Sequence, residues 1–343
     1  MSRQRLQLIL LSLCHLLVDG ICAAVLMNDP GDAAWAASLL LYNTLAFSTQ
    51  CLTGMLPDKY GRGELFVLLS ALIMAPGALL PLPLLLRAAF LGLGNSLFHV
   101  SGGYITLKQS KKMGPLGVFV APGAVGLFLG GFFPWLRIPF MAALLLLAGL
   151  LLMMKKQMSA AGPALAVLEA PVPAAGKARP SPVFLSALLL VAIAARALGG
   201  SAVSFPWKTG LIPALLFALA VCLGKSCGGF LADKWGIRKM TLLSVPAALL
   251  LGLFCSAWMA PSLIGQWALN LSMPVTLYLI YRLYPDSPGF AFGLAASALW
   301  PGVLLGDLVH PHGFWAAALM ILCLGAGLIA ILISERRLFH EKK

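Results

Sequence analysis

Gly54 to Gly63 reads GMLPDKYGRG, and Gly229 to Lys239 reads GFLADKWGIRK. Gly, Asp, Lys and Gly recur in the same order, and Asp58 and Asp233 stand 175 residues apart, about half the chain. Each stretch is a charged hairpin lodged between two apolar runs that are long enough to cross a bilayer. Self-similarity at a fixed offset marks a repeated architectural unit, here one half of the molecule.

Around the hairpins the composition is that of a membrane protein. Hydrophobic residues make up 60% of the 343 and charged residues 10%, with a mean hydropathy of +0.94, whereas a soluble domain carries about 25% charged residues. A helix needs about 20 apolar residues to cross about 30 Å of hydrocarbon, so the chain has room for roughly a dozen spans. Runs bounded by Pro, Gly and charge place them at roughly 6–27, 34–56, 64–80, 82–107, 115–133, 138–154, 183–205, 210–232, 240–259, 261–283, 288–308 and 314–333. Between the sixth and seventh lies 155–182, with Pro163, Pro171, Pro173, Pro180 and Pro182 among Ala, Gly and Lys, a composition that favours an extended linker. The expected organisation is therefore an all-α membrane protein: a six-helix bundle over 1–154, a linker over 155–182, a second six-helix bundle over 183–334 and a tail over 335–343.

The formal charge of +13 would suggest nucleic acid in a soluble protein, but its placement excludes that partner. With the N-terminus in the cytoplasm, most Lys and Arg fall on inner segments, among them Arg3, Arg5, Lys59, Arg62, Lys108, Lys111, Lys112, Lys155, Lys234, Arg238, Lys239, Arg336 and Arg337. Outer segments hold Arg137 and Lys208, and Arg87, Arg196 and Lys225 fall within spans. This asymmetry follows the positive-inside rule and puts both termini in the cytoplasm. Trp35, Trp135, Trp207, Trp235, Trp258 and Trp315 sit near span ends, as interfacial anchors do. All seven cysteines lie in apolar runs without CxxC spacing and read as packing residues. Arg3 and Arg5 precede an apolar run as in a signal peptide, but the run extends to about Met27 and further spans follow, so it is expected to stay as the first span.

Two six-span halves, a linker and a hairpin repeated after the second and eighth spans together resemble the major facilitator superfamily of secondary transporters over essentially the whole chain. The first hairpin keeps Gly54, Asp58, Lys59, Gly61 and Arg62 of the family pattern but ends in Gly63; the second keeps Gly229, Asp233, Lys234, Gly236 and Arg238, with Ile237 intervening. The fifth span opens with Gly114 and Pro115 and the eleventh with Ser287 and Pro288, and a helix start with free N–H groups attracts an anion. The resemblance implies that Asp58 meets the start of the eleventh span and Asp233 that of the fifth, latching the cytoplasmic side closed. The plainer alternative is that each acid caps its own tight turn.

Ionisable groups inside the membrane cost about 2.5–3.5 kcal/mol each on insertion scales, so each calls for a partner. His15 and Asp19 share a face of the first span, and Arg196 lies near mid-depth of the seventh. In the fold implied by the resemblance, spans one, four, seven and ten line the cavity. Asp19 and Arg196 are expected to pair, with protonation of Asp19 as the switch; the alternative is a permanent pair that only fixes packing. Arg87, Asn95 and His99 lie in RAAFLGLGNSLFH of the fourth span, a stretch similar to the proton-antiporter motif, with outward snorkelling as the alternative for Arg87. The HLLVD of His15–Asp19 and the GLGNSLFH of Gly92–His99 are similar to the fosmidomycin-resistance branch of drug exporters. For His99, coupling and a helix-to-helix hydrogen bond both stand open.

The 175-residue offset carries Asn95 onto Asn270, and a solute site is expected from these two with Gln266, Tyr278, Trp300 and Asn43. Tyr281 offers further aromatic surface, and Lys225 is expected to snorkel. Asp307, His310 and His312 have spacing compatible with a metal, but read as a polar loop. The expected protein is a monomer in the cytoplasmic membrane that moves a small solute with protons, as an exporter rather than an importer of an organic acid or sugar. No cofactor, no metal and no enzyme activity are expected; a sensor on the same fold and a membrane-embedded enzyme are the rivals.

Overall fold

Apolar runs become helices because the bilayer core offers no water to satisfy backbone N–H and C=O groups. The computed structural model describes residues 2–28, 30–31, 33–160, 182–309 and 313–339, with backbone alone at 156–160 and 307. Among the described residues, nine helical segments are long and apolar enough to cross a membrane: Arg3–Leu26, Leu84–Gln109, Met113–Phe132, Pro134–Lys155, Pro182–Ser201, Leu211–Trp235, Met259–Leu283, Pro288–Gly306 and Gly313–Phe339. A shorter apolar helix covers Gly63–Leu79. The remaining two expected ranges, 34–56 and 240–259, are helical but interrupted by single π-turns at Thr44–Ser48 and Ala248–Leu253.

Element boundaries differ from the hydropathy reading where helices outrun the apolar window. The sixth helix continues to Ala160 and the last to Phe339, so the expected breaks at 154 and 334 fall inside helices. Pro182 is the first helical residue after the linker, a position whose missing N–H costs nothing. Pro163, Pro171, Pro173 and Pro180 lie outside the described residues, as do His310 and His312.

Several spans are bent or divided. The fifth divides at Ala121–Pro122 into Met113–Val120 and Gly123–Phe132, because proline removes the N–H that would continue the ladder. The tenth divides at Leu271–Ser272, with Pro274 in the first turn of the second piece. In the first half Phe98, Phe119, Leu11, Ile21, Met74 and Leu91 are fully buried. Lipid tails are as apolar as these side chains, so the helices are held by close packing rather than by escape from water. Leu146, Val183 and Leu322 are more than two-thirds exposed, at 72%, 72% and 70%. Such an apolar exterior is what a lipid-facing surface requires. The protein is a multi-pass helical membrane protein, and its halves meet most closely at the end that carries the two hairpins.

Candidate functional site

Each hairpin docks on the opposite half. Asp58 accepts N–H bonds from Gly289 (2.8 Å, Oδ1) and Phe290 (2.7 Å, Oδ2), at the start of helix Pro288–Ser297. Asp233 accepts from Met113 (3.0 Å, Oδ1) and Gly114 (2.8 Å, Oδ2), at the start of helix Met113–Val120. Both carboxylates thus bind the free N–H groups and positive dipole end of a helix from the other bundle. The glycines of the motif permit the approach: a Cβ on Gly54 would strike the Gly289 carbonyl, and one on Gly229 would strike the Met113 carbonyl. Gly61 and Gly236 end their helices at φ 64° and 83°, conformations that side chains resist. Burial pushes the Asp58 carboxyl above its ordinary range, against the pull of the Phe290 and Gly289 N–H groups and Lys108. Lys59, Arg62, Lys234 and Arg238 are exposed around the hairpins.

Deeper in the first half, His15, Asp19, Asn95 and His99 converge. His15 Nε2 lies 3.3 Å from Asp19 Oδ2, and His99 Nε2 lies 3.8 Å from Asp19 Oδ1. Asn95 donates its amide to Asp19 Oδ1 at 3.2 Å and to the Tyr42 hydroxyl at 3.1 Å. The His15 and His99 Nε2 atoms face each other at 2.9 Å.

The tautomers follow from the other ring nitrogens. His15 Nδ1 lies 2.9 Å from the Phe119 carbonyl oxygen and His99 Nδ1 lies 2.9 Å from that of Asn95. A carbonyl only accepts, so each Nδ1 carries the hydrogen. In two neutral rings both Nε2 atoms are then acceptors, and two lone pairs point at one another beside a carboxylate. That contact is favourable only with a cationic species between them, and one proton shared by the two imidazoles is sufficient. The i,i+4 spacing sets His15 under Asp19, and the break at Pro122 brings Gly123 against both. A Cβ on Gly123 would collide with Asp19 Oδ2 and His15 Nε2.

This geometry corrects several expectations. Asp19 does not pair with Arg196: Asn95 and both histidines reach the carboxylate first, from its own helix and from the close-packed Leu84–Gln109 helix. Arg196 instead lines a small cavity inside the second half with Ala192, Ser272, Thr276 and Leu324. Arg87 donates Nε to the Gly77 carbonyl at 2.9 Å, near the C-terminus of helix Gly63–Leu79, a position where a cation offsets the helix dipole. Asn95, expected with Asn270 in a solute site, donates into the His–Asp cluster, and the Asn270 amide turns back to the Gln266 carbonyl at 2.9 Å. Tyr278 lies at the hairpin end, donating to the Lys111 carbonyl at 3.0 Å.

Gln266 is buried and Trp300 and Asn43 half-buried. Tyr42, absent from the sequence reading, joins the cluster by accepting from the Asn95 amide at 3.1 Å. Gly123 was legible only as part of a glycine-rich run. Lys225, read as snorkelling, stands within electrostatic reach of Asp19 and His99 from the opposite half.

Neither a family model nor a curated relative matches this sequence. Among solved structures, a crystal structure of FucP, a major facilitator superfamily transporter in the outward conformation, superposes with a TM-score of 0.65 at 13% identity, covering 95% of this chain and 97% of that one. A structure of a variant of the E. coli fucose:proton symporter FucP gives 0.65 at 12% identity, covering 97% and 99%. Fold and repeat together define the chain as a polytopic helical protein of the major facilitator fold. At this identity the likeness is one of fold, over nearly the full length of both chains.

Proposed function

We propose that the protein is a secondary active transporter that moves a small solute across the cytoplasmic membrane by alternating access, coupled to protons. In this reading the chain crosses the bilayer twelve times with both termini in the cytoplasm, and the hairpin end is the cytoplasmic mouth. The observation that carries it is the reciprocal docking of Asp58 and Asp233 on helix starts of the opposite halves, above a buried His–Asp cluster. A contact made of four N–H bonds is discrete: it is formed or broken as a whole, which suits a two-state gate. His15, His99 and Asp19 hold the coupling proton. Gln266, Asn270, Trp300 and Asn43 remain the proposed solute contacts, and the protein works as a monomer in contact with lipid.

Export is the proposed direction, on the resemblance of HLLVD and GLGNSLFH to drug exporters. Uptake is the second reading, favoured by the solved neighbour being a fucose:proton symporter. Reconstituted protein should show solute counterflow, and an imposed pH gradient should drive accumulation. The sign of the gradient that drives it separates the two directions. Saturable solute binding without counterflow would instead make the protein a sensor on a transporter fold.

A further inference from the structure

We propose that His15, His99 and Asp19 form a binding site for one divalent transition-metal ion of the Zn2+ class. The reading is independent of transport and rests on the placement of donor atoms. The two imidazole Nε2 atoms lie 2.9 Å apart, and the Asp19 carboxylate lies 3.3 Å from that of His15 through Oδ2 and 3.8 Å from that of His99 through Oδ1. The 2.9 and 3.3 Å separations, which share His15 Nε2, are near the roughly 3.3 Å edge of a tetrahedron whose metal–ligand bonds are about 2.0–2.1 Å. All the donor atoms lie within 4.8 Å of one another.

The surroundings match those of a ligand set. A metal-binding histidine typically donates its second ring N–H to a carbonyl or carboxylate, which fixes the tautomer and aims the lone pair. Both histidines do so here, to Phe119 and Asn95. The carboxylate is held by the Asn95 amide. Gly123 leaves free the space that a Cβ would take from Asp19 and His15. The N2O donor set favours borderline ions over Mg2+ and Ca2+, which take oxygen ligands. Three protein ligands leave one position of a tetrahedron for water or for an anionic group. The side chains of Asp19 and His99, at 13% and 15% exposure against 5% for His15, are the accessible side of the site.

The test uses the full-length protein in detergent, without a gradient, titrated with Zn2+ alone by calorimetry and with Co2+ by visible absorption. One Zn2+ per chain is expected, with affinity falling at least about tenfold in each of His15→Gln, His99→Gln and Asp19→Asn, and unchanged in a His310→Gln, His312→Gln double variant. The Co2+ spectrum of the unaltered protein needs no variant: intense tetrahedral bands without thiolate charge transfer support the site. Absence of saturable Zn2+ binding, a thiolate-ligated Co2+ spectrum, or affinity unchanged in folded His15→Gln and His99→Gln variants would overturn it. Counterflow is read in a separate experiment, so metal binding and transport can each fail without the other.

Discussion

The two halves share one frame and carry different chemistry. At the first hairpin a brace ties the loop down: Lys155 donates to the Gly61 carbonyl at 2.7 Å and pairs with Glu64 at 2.9 Å. Glu64 in turn accepts from Gln7 at 2.9 Å, and Gln7 accepts from Gln109 at 2.6 Å. Asp58 is half-buried in its docking site whereas Asp233 is exposed in the corresponding one. In the membrane, His15, Asp19 and His99 have Leu190, Ala194 and Pro274 as counterparts at the 175-residue offset, while Arg196 and Lys225 have Ile21 and Gln50. The clustered acid and imidazoles sit in the first half, and Arg196 and Lys225 in the second. Repetition preserves the carboxylate-to-helix-start contacts between the halves, and divergence at the matched positions places the His–Asp cluster in the first half alone.

The comparison is broken most severely at Asp19. In Asp19→Asn the facing His15 and His99 lose their counter-charge, and solute accumulation in proteoliposomes should stop responding to a pH gradient; an unchanged response would place coupling elsewhere. Next come the latches. Asp58→Asn removes the charge from two N–H bonds, and bonds to a charged partner are worth about 1.5–3 kcal/mol each. Thiol labelling of single cysteines at the two mouths should then show the hairpin end opening roughly tenfold or more often. Asp233→Asn should act in the same direction but less, because an exposed carboxylate gains less from its partners. Equal effects would show that the difference in burial between the two carboxylates does not set the strength of their contacts.

Smaller still is Gly123→Ala, which presses a methyl group into the cluster at about 1–3 kcal/mol and should lower thermal stability together with coupling. The least effect belongs to Ser297, whose hydroxyl donates to the Phe47 carbonyl at 2.9 Å and accepts from the Cys51 N–H at 3.2 Å. It joins the halves where the π-turn Thr44–Ser48 exposes backbone groups. Ser297→Ala should cost about 1 kcal/mol in thermal stability, and no change would indicate that water takes over both bonds.

The sequence by itself determined the membrane class and most of the helical ranges; that Asp58 and Asp233 reach helix starts of the opposite half is an implication of the family resemblance, with a cap on the local turn as the open alternative. Hydropathy is a property of contiguous residues, whereas the partner of each hairpin came from the family resemblance and not from the residue order itself. The sequence also singled out His15, Asp19, Asn95 and His99, because ionisable and amide groups are rare in apolar runs. Which of these meet was decided only by the tertiary structure. Asp19 turned to the histidines and Asn95 rather than to Arg196, since partner choice in a helix bundle depends on rotation and on how closely small residues let backbones approach. Neither can be read from spacing along one helix. The same holds for Tyr42, which accepts from the Asn95 amide, and for Tyr278, which a Lys111 carbonyl 167 residues away holds at the hairpin end. The tautomers that set two lone pairs face to face come from backbone carbonyls, Phe119 and Asn95, to which the side-chain pattern is blind.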